Sequence, residues 1–541
     1  MPEAVDRTTV PFPAQEDRAA ELFGVLRRQL GPVPMAFLDS SDHARTPAPA
    51  RSRYSILAFS LGRFAETVAL PSDAFDWLGQ RWPRLDAPDG HRAASAAPFQ
   101  LGWVGWIGYE GQAQLLRATH AVVVDHQAGA AEIQWVAGDP QPGVVPWVEL
   151  VGASIQELSS APRSISGAVT GPTPRLEQLT VRDSRLDYLA KISQAQQEIY
   201  QGNTYEVCLT TAITGRLIGC PWEAYLQLRA RNRAPFTQFI GFPQRGTAPA
   251  CAILSTSPER FASISTTGVI RSEPIKGTRP RGTTPDDDAA QLADLRSHPK
   301  DRAENVMIAD LVRNDLSIHA VPGTLHTERL CAVESYPTVH QMVSTISAQL
   351  APGASPARAL NDAFPPGSMT GAPKISTMEI LRSLETGPRG AYSGVAGWFS
   401  TTGACDLSVL IRTVVCVGGA PEGVQPSTGS GDAEQAHAST ELNRVTAGAY
   451  ATTWPAQTPI CLNGSHMSRF SPRSALGRLA PAFTPEVGAS RASRLTGDLW
   501  EFHLGLGGAI TADSNPEAEW QEVIAKSRGV LDALGAVFPE G

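Results

Sequence analysis

Phe99-Gln100-Leu101-Gly102-Trp103-Val104-Gly105-Trp106-Ile107-Gly108-Tyr109-Glu110 alternates glycine with large apolar side chains. Aromatic and β-branched residues spaced by glycines read as strand against which another backbone packs closely. Similar runs lie on either side. Ser55–Phe59 and Ala121–Val124 are short, apolar and bounded by turn residues, so residues from about 10 to 155 are expected to form many short strands. Tyr205–Thr210, Leu410–Val415 and Trp500–Leu504 read the same way. Four segments carry helical spacing instead. Arg185–Gln201 has apolar residues at 186, 189, 192 and 199, behind Asp183 or Ser184 as a cap. Asp301–Leu316, Lys374–Leu384 and Pro516–Leu534 are the others, the last with proline in its first turn. Strands are expected in most of the remainder, giving an α+β fold with much antiparallel sheet.

A chain of 541 residues implies two domains or one large composite domain. With 42% hydrophobic and 18% charged residues the composition is that of a globular protein. The net charge of −8 comes with no basic stripe, which argues against a nucleic-acid partner. No long apolar run suggests a membrane span, and the acidic, proline-rich start is unlike a signal peptide; a cytoplasmic location is expected. Seven cysteines, an odd number without a CxxC pair, suggest reduced thiols and no zinc site. Residues 158–180 read as a linker. Residues 419–498, poor in large apolar side chains, read as an insertion between two strands, either mobile or a small ordered subdomain.

Only five of the 45 basic Lys and Arg residues are lysines. Three of them, Lys276, Lys374 and Lys526, sit in segments dense in glycine, proline and acids. The choice matters because a desolvated amine can lose its proton and attack carbon, whereas a guanidinium cannot. Two helices are acidic on one face. Asp301 and Glu304 are three residues apart, as are Glu519 and Glu522, with Lys526 four further on. If the helices face each other, four carboxylates converge as an oxygen-only site suited to Mg2+. The alternative for Glu522 and Lys526 is a plain surface ion pair. The loops Pro366–Pro373 and Gly505–Ala509 offer backbone amides to an anion.

The segments SPERF (257–261), PIKGTRPRG (274–282), DRAENVMIADLVRNDL (301–316), FPPGSMTGAPKISTMEIL (364–381), AYSGVAGW (391–398), IRT (411–413) and GGAITADSNPEAEWQE (507–522) occur in the order seen in chorismate-utilising enzymes, which this chain resembles from about 180 to 526. The resemblance implies a large two-layered antiparallel β-sandwich core flanked by helices. It implies an N-terminal domain over 1–160 and a catalytic domain over 180–541, interrupted at 419–498. Glu304 and Glu522 resemble the Mg2+ carboxylates, with Asp301 and Glu519 behind them. Lys526, Gly277 and Thr278 would hold the ring carboxylate of chorismate, with Ser368, Gly507 and Gly508 lining the substrate site. Tyr392 and Arg412 would grip the enolpyruvyl carboxylate. His340 resembles the family's active-site histidine, and Glu259 the acid that protonates the departing C4 hydroxyl.

Two positions choose among the family's branches. PIKGT places Lys276 where the anthranilate branch typically has alanine. This resembles the aminodeoxychorismate synthase component I branch, in which the lysine is a proposed nucleophile at C2 that ammonia, entering at C4, then expels. Glu206 stands where isochorismate and salicylate synthases have a lysine that activates water, which leaves ammonia as the nucleophile. The chain has no Gly-x-Cys-x-Gly glutaminase elbow. The resemblance therefore implies a glutamine amidotransferase subunit as partner in a heterodimer. The alternatives are anthranilate synthase component I, or a non-catalytic chorismate-binding subunit, a reading that sits poorly with a full set of acid, base and lysine.

Overall fold

The computed structural model describes residues 4–13, 15–82, 97–139, 146–160, 173–418 and 499–539. The segment 419–498 and the middle of the expected linker therefore lie outside the described residues; helix Trp147–Ser160 and strand Arg175–Val181 occupy the linker's two ends.

The strands form two sheets in which every pairing is antiparallel. The first sheet has twelve strands. It runs from Val5–Pro11 through Met35–Asp39 and Phe236–Phe242 to the long strand Glu206–Ile218 and the short Gly371–Ala372. The second has ten, from Ile275–Pro280 and Val339–Gln349 through Val395–Ser400 and Gly102–Ile107 to Thr67–Leu70. Both sheets mix early and late segments: Met35–Asp39 pairs with Phe236–Phe242, and Gly102–Ile107 with Val395–Ser400.

The inner faces of the sheets share one core. Ile56, Ile240 and Ile253 of the first sheet lie in the same cluster as Val104, Leu116 and Trp398 of the second. The alternate residues face outward and are covered by helices. Phe37, Phe59 and Phe239 pack with Phe23, Tyr188 and Trp222. Phe261, Phe399 and Leu407 pack with Leu78, Ile308 and Leu360. The result is four layers, helix, sheet, sheet, helix. Strands buried on both faces read as continuous apolar runs, which is why Ala121–Val124 shows no polar alternation. The glycine-rich stretch behaves as its spacing predicts. Gly105 pairs with Gly397, and a Cβ on Gly105 would stand 2.1 Å from the Gln114 carbonyl oxygen.

The helical content exceeds the sequence expectation. Arg18–Leu30, Ala74–Arg81 and Trp147–Ser160 are helices in the region read as strands, and Pro221–Arg231, Pro285–Ser297 and Pro356–Ala363 add three more. Their signals are present in the sequence. Ala19, Leu22, Phe23 and Leu26 have helical spacing and are buried. Thr284 and Ser355 precede prolines and accept a backbone N–H three residues on, as N-caps do. The four expected helices appear at Arg185–Tyr200, Pro299–Ser317, Lys374–Leu384 and Pro516–Leu531, with Ser184 capping the first. The six described cysteines are unbridged. No helix among the described residues is long and apolar enough to cross a membrane.

One buried arginine ties the elements beneath the predicted site. Arg389 donates to Glu385 at 2.8 and 2.9 Å, to the Met369 carbonyl at 2.6 Å and to the Cys208 carbonyl at 2.9 Å. Its guanidinium lies 4.2 Å from the centre of the Tyr109 ring, within the stretch quoted above. It thus joins the glycine loop, the Glu206 strand and the 99–110 strand. Truncation would leave Glu385 charged and buried, so Arg389→Ala should cost about 3–5 kcal/mol in denaturant unfolding. A loss below about 1 kcal/mol, the value of an exposed pair, would contradict this assignment.

Candidate active site

Lys276 lies on the last strand of the second sheet, and Glu206 opens a strand at the same end of the first. Their side chains meet between the sheets: Lys276 Nζ donates to Glu206 Oε1 at 2.5 Å. Glu206 is fully buried, and the Lys276 side chain is 11% exposed. The strand register shifts between Ile275 and Thr278. There Gly277 has φ +90°, and a Cβ on it would come within 3.0 Å of the Asp301 Cβ. Glycine here lets the acidic helix approach the Lys276 strand. Burial disfavours the Lys276 ammonium, but the Glu206 and Glu304 carboxylates outweigh it and hold the amine well above its ordinary range.

The two acidic helices are linked near their N-terminal ends by Lys300. Lys300 Nζ stands 3.1 Å from Glu519 and 3.8 Å from Glu304. Glu304 is buried, and that burial pushes its carboxyl up to about 7 in spite of nearby Lys276. Glu519 also accepts from Ser514 Oγ at 2.7 Å. Glu522 pairs with Lys526 at 2.8 Å, and Lys526 donates to the Gly507 carbonyl at 2.8 Å. Asp301 turns aside to Arg279 at 2.8 Å and His298 at 3.1 Å. A Cβ on Gly508 would stand 3.4 Å from Glu519 Oε2 and 3.9 Å from Lys526 Nζ, so glycine keeps this cradle open. Among the described residues no three acidic, His or Cys side chains already converge on one metal-sized point. The donor set still fits a hard divalent ion: the ligand atoms are carboxylate oxygens, and a cation, Lys300, already bridges Glu304 and Glu519.

Ser368 Oγ donates to Glu259 Oε1 at 2.6 Å. Burial pushes the Glu259 carboxyl up to about 7, with Ser368 and Lys276 opposing. A carboxyl titrating near neutrality suits a proton donor. Arg412 has φ +50°, a left-handed conformation uncommon for a non-glycine residue. Burial alone acts on its guanidinium, pushing its pKa down, and no carboxylate offsets it. Such a cation is ready for an external anion. Tyr392 packs its ring over Gly505, where a Cβ would stand 2.0 Å from the Tyr392 Cγ.

Some predicted residues lie elsewhere. His340 is buried with Nε2 3.0 Å from Asp288 and Nδ1 2.8 Å from Ser335. Both ring nitrogens are thereby engaged, and neither is bonded to a side chain of the Lys276 cluster. Its neighbour Gln341 pairs instead with Thr278, and Gln341 Oε1 is buried without a partner. Lys374 holds Asp315 and the Ala363 carbonyl, each at 2.7 Å, a structural tie between helices.

A family model for chorismate binding enzymes matches residues 36–443. The chain belongs to that family. Over 337 residues this chorismate-binding enzyme is 44% identical to the aminodeoxychorismate synthase of Streptomyces griseus, a match covering 59% of this chain and 46% of that one. Over 328 residues it is 37% identical to aminodeoxychorismate synthase component 1 of Klebsiella aerogenes, covering 59% of this chain and 69% of that one. It spans about half the length of the longer relatives it matches. The menaquinone-specific isochorismate synthase of Escherichia coli shares its fold, with a TM-score of 0.61 at 14% identity over 98% of this chain and 95% of that one.

Parts of the site's wiring escaped the sequence reading. Lys300 is four residues before Glu304, a spacing that signals a helical pair. Glu206 was noted for its charge, but its pairing with Lys276 joins positions 70 residues apart and has no local signature. Gln341 gives no signal beyond its place beside His340.

The Glu259 carboxyl moves from an ordinary 4.5 to about 7 on folding. The native state therefore binds that proton more tightly. The stabilisation is complete below about 4.5 and is lost as pH rises through about 7. Glu259→Gln, which fixes the neutral form, should then be more stable than the parent above about pH 8, by at most about 3 kcal/mol, and no more stable below about pH 5. Melting temperatures across that range test this; a difference independent of pH would contradict it.

Proposed function

We propose that this chain aminates chorismate at C4, as an aminodeoxychorismate synthase component I, using ammonia from a glutamine amidotransferase that pairs with it. The supporting observation is the position of the Lys276 amine inside the site, 2.5 Å from the Glu206 carboxylate. The two relatives described above carry the aminodeoxychorismate synthase name.

In this reading Lys276 passes a proton to Glu206, and its lone pair forms a bond to C2. The ring double bonds shift, the C4–O bond breaks, and the leaving oxygen takes a proton from Glu259 and departs as water. The lone pair of ammonia then bonds to C4 and the double bonds shift back. The C2–N bond breaks, its electrons return to Lys276, and Lys276 recovers the proton from Glu206. The new C4 ammonium reprotonates Glu259. Arg412 and Tyr392 receive the enolpyruvyl carboxylate, and Lys526 with the Gly277–Thr278 backbone receives the ring carboxylate. Glu304, Glu519 and Glu522 would hold Mg2+, which supplies positive charge to the ring carboxylate when bound. The product suits 4-aminobenzoate and folate synthesis, or another 4-aminobenzoate derivative, in the cytoplasm.

Incubation with chorismate, ammonium chloride and Mg2+, followed by mass and UV analysis, should yield 4-amino-4-deoxychorismate. Anthranilate as the sole product would overturn the reading in favour of the ortho-aminating branch.

A further inference from the structure

Glu206 uses only half of its hydrogen-bonding capacity. Oε1 accepts from Lys276, whereas Oε2 has no partner, although the side chain is fully buried. An ionised carboxylate oxygen left unpaired out of water is costly, and such atoms in native sites are commonly explained by a missing ligand. The ligand must donate hydrogen bonds and be small.

Resting on the proposed amination, we infer that Glu206 Oε2 is the receiving site for ammonia, taken up as NH3 or as ammonium. The chemistry requires two nitrogens to exchange places on one ring, Lys276 leaving C2 as ammonia joins C4. Those carbons are related 1,3. The two oxygens of a carboxylate have the same 1,3 relation, separated by one carbon. One bidentate side chain thus holds the departing and arriving nitrogens side by side, each on its own oxygen. If ammonium arrives, it must first lose a proton for its lone pair to form the C4–N bond. Solvent accepts that proton, because Oε1 keeps the Lys276 proton until the C2–N bond has broken. No other reactant is needed. Before Lys276 gives up its proton, the charged carboxylate attracts ammonium over neutral water, which would give a hydroxylated product.

The test is steady-state kinetics of the full chain with ammonium chloride as nitrogen source, varying ammonium and chorismate in turn. Glu206→Gln removes the charge and keeps the shape. It should raise the ammonium KM about tenfold or more, the effect of losing a hydrogen bond to a charged group, while the chorismate KM stays within about twofold. If Glu206→Gln does not fold, as judged by melting, Glu206→Asp withdraws the carboxylate by one methylene and should raise the ammonium KM in the same selective way. An unchanged ammonium KM in the folded variant, even with a lower kcat, would overturn the inference and leave Glu206 acting on Lys276 alone. Failure of the parent chain to make any C4-aminated product would instead count against the proposed amination itself.

Discussion

A buried ion pair, Lys276 with Glu206, bridges the same end of two large sheets. Much of the surrounding architecture makes that meeting possible. The register shift at Gly277 lets the Lys276 strand follow the acidic helix closely. Arg389 draws the glycine loop against the Cys208 carbonyl, two residues along the strand from Glu206. The sandwich core holds the two sheets in fixed relation, so the lysine and its partner carboxylate come from rigid elements and not from loops.

Such a cluster is a poor way to stabilise a protein. Removing charges from water costs several kcal/mol per ion, and well-packed apolar side chains serve stability as well or better. Glu304 shows the expense directly, since burial pushes its carboxyl up to about 7 even beside lysines. The same holds for Arg412, which is partly buried with no carboxylate offsetting its charge. Under the proposed function, these partly compensated charges would be halves of contacts that an anionic substrate and a cation complete.

Local patterns carried much of this organisation. Helical spacing located the four helices that bear Lys191, Glu304, Lys374 and Glu519, and glycine alternation located the strand at 102–107. The acidic pairs on Pro299–Ser317 and Pro516–Leu531 left open whether those helices meet, and Lys300 links them through Glu304 and Glu519. What was lost had two causes. The helix at 18–30 has apolar spacing but lacks a side-chain N-cap, and the helix at 285–297 has a cap but buries only Leu295, so each carried half of the usual signal. The Lys276–Glu206 contact and the separation of His340 from the site depend on register and on which face each residue takes. A shift of one residue along a strand exchanges His340 for Gln341, and no local composition records that choice.

The proposed amination depends on Lys276 forming a bond to the substrate ring. Intact-mass analysis of the chain incubated with chorismate and Mg2+ but no ammonia, followed by peptide mapping, reads this directly. The expected result is an added mass of chorismate less one water on the peptide containing Lys276, lost on addition of ammonium chloride and absent from Lys276→Ala. A Lys276→Ala variant that aminates chorismate at the parent rate, with no adduct on the parent chain, would contradict it.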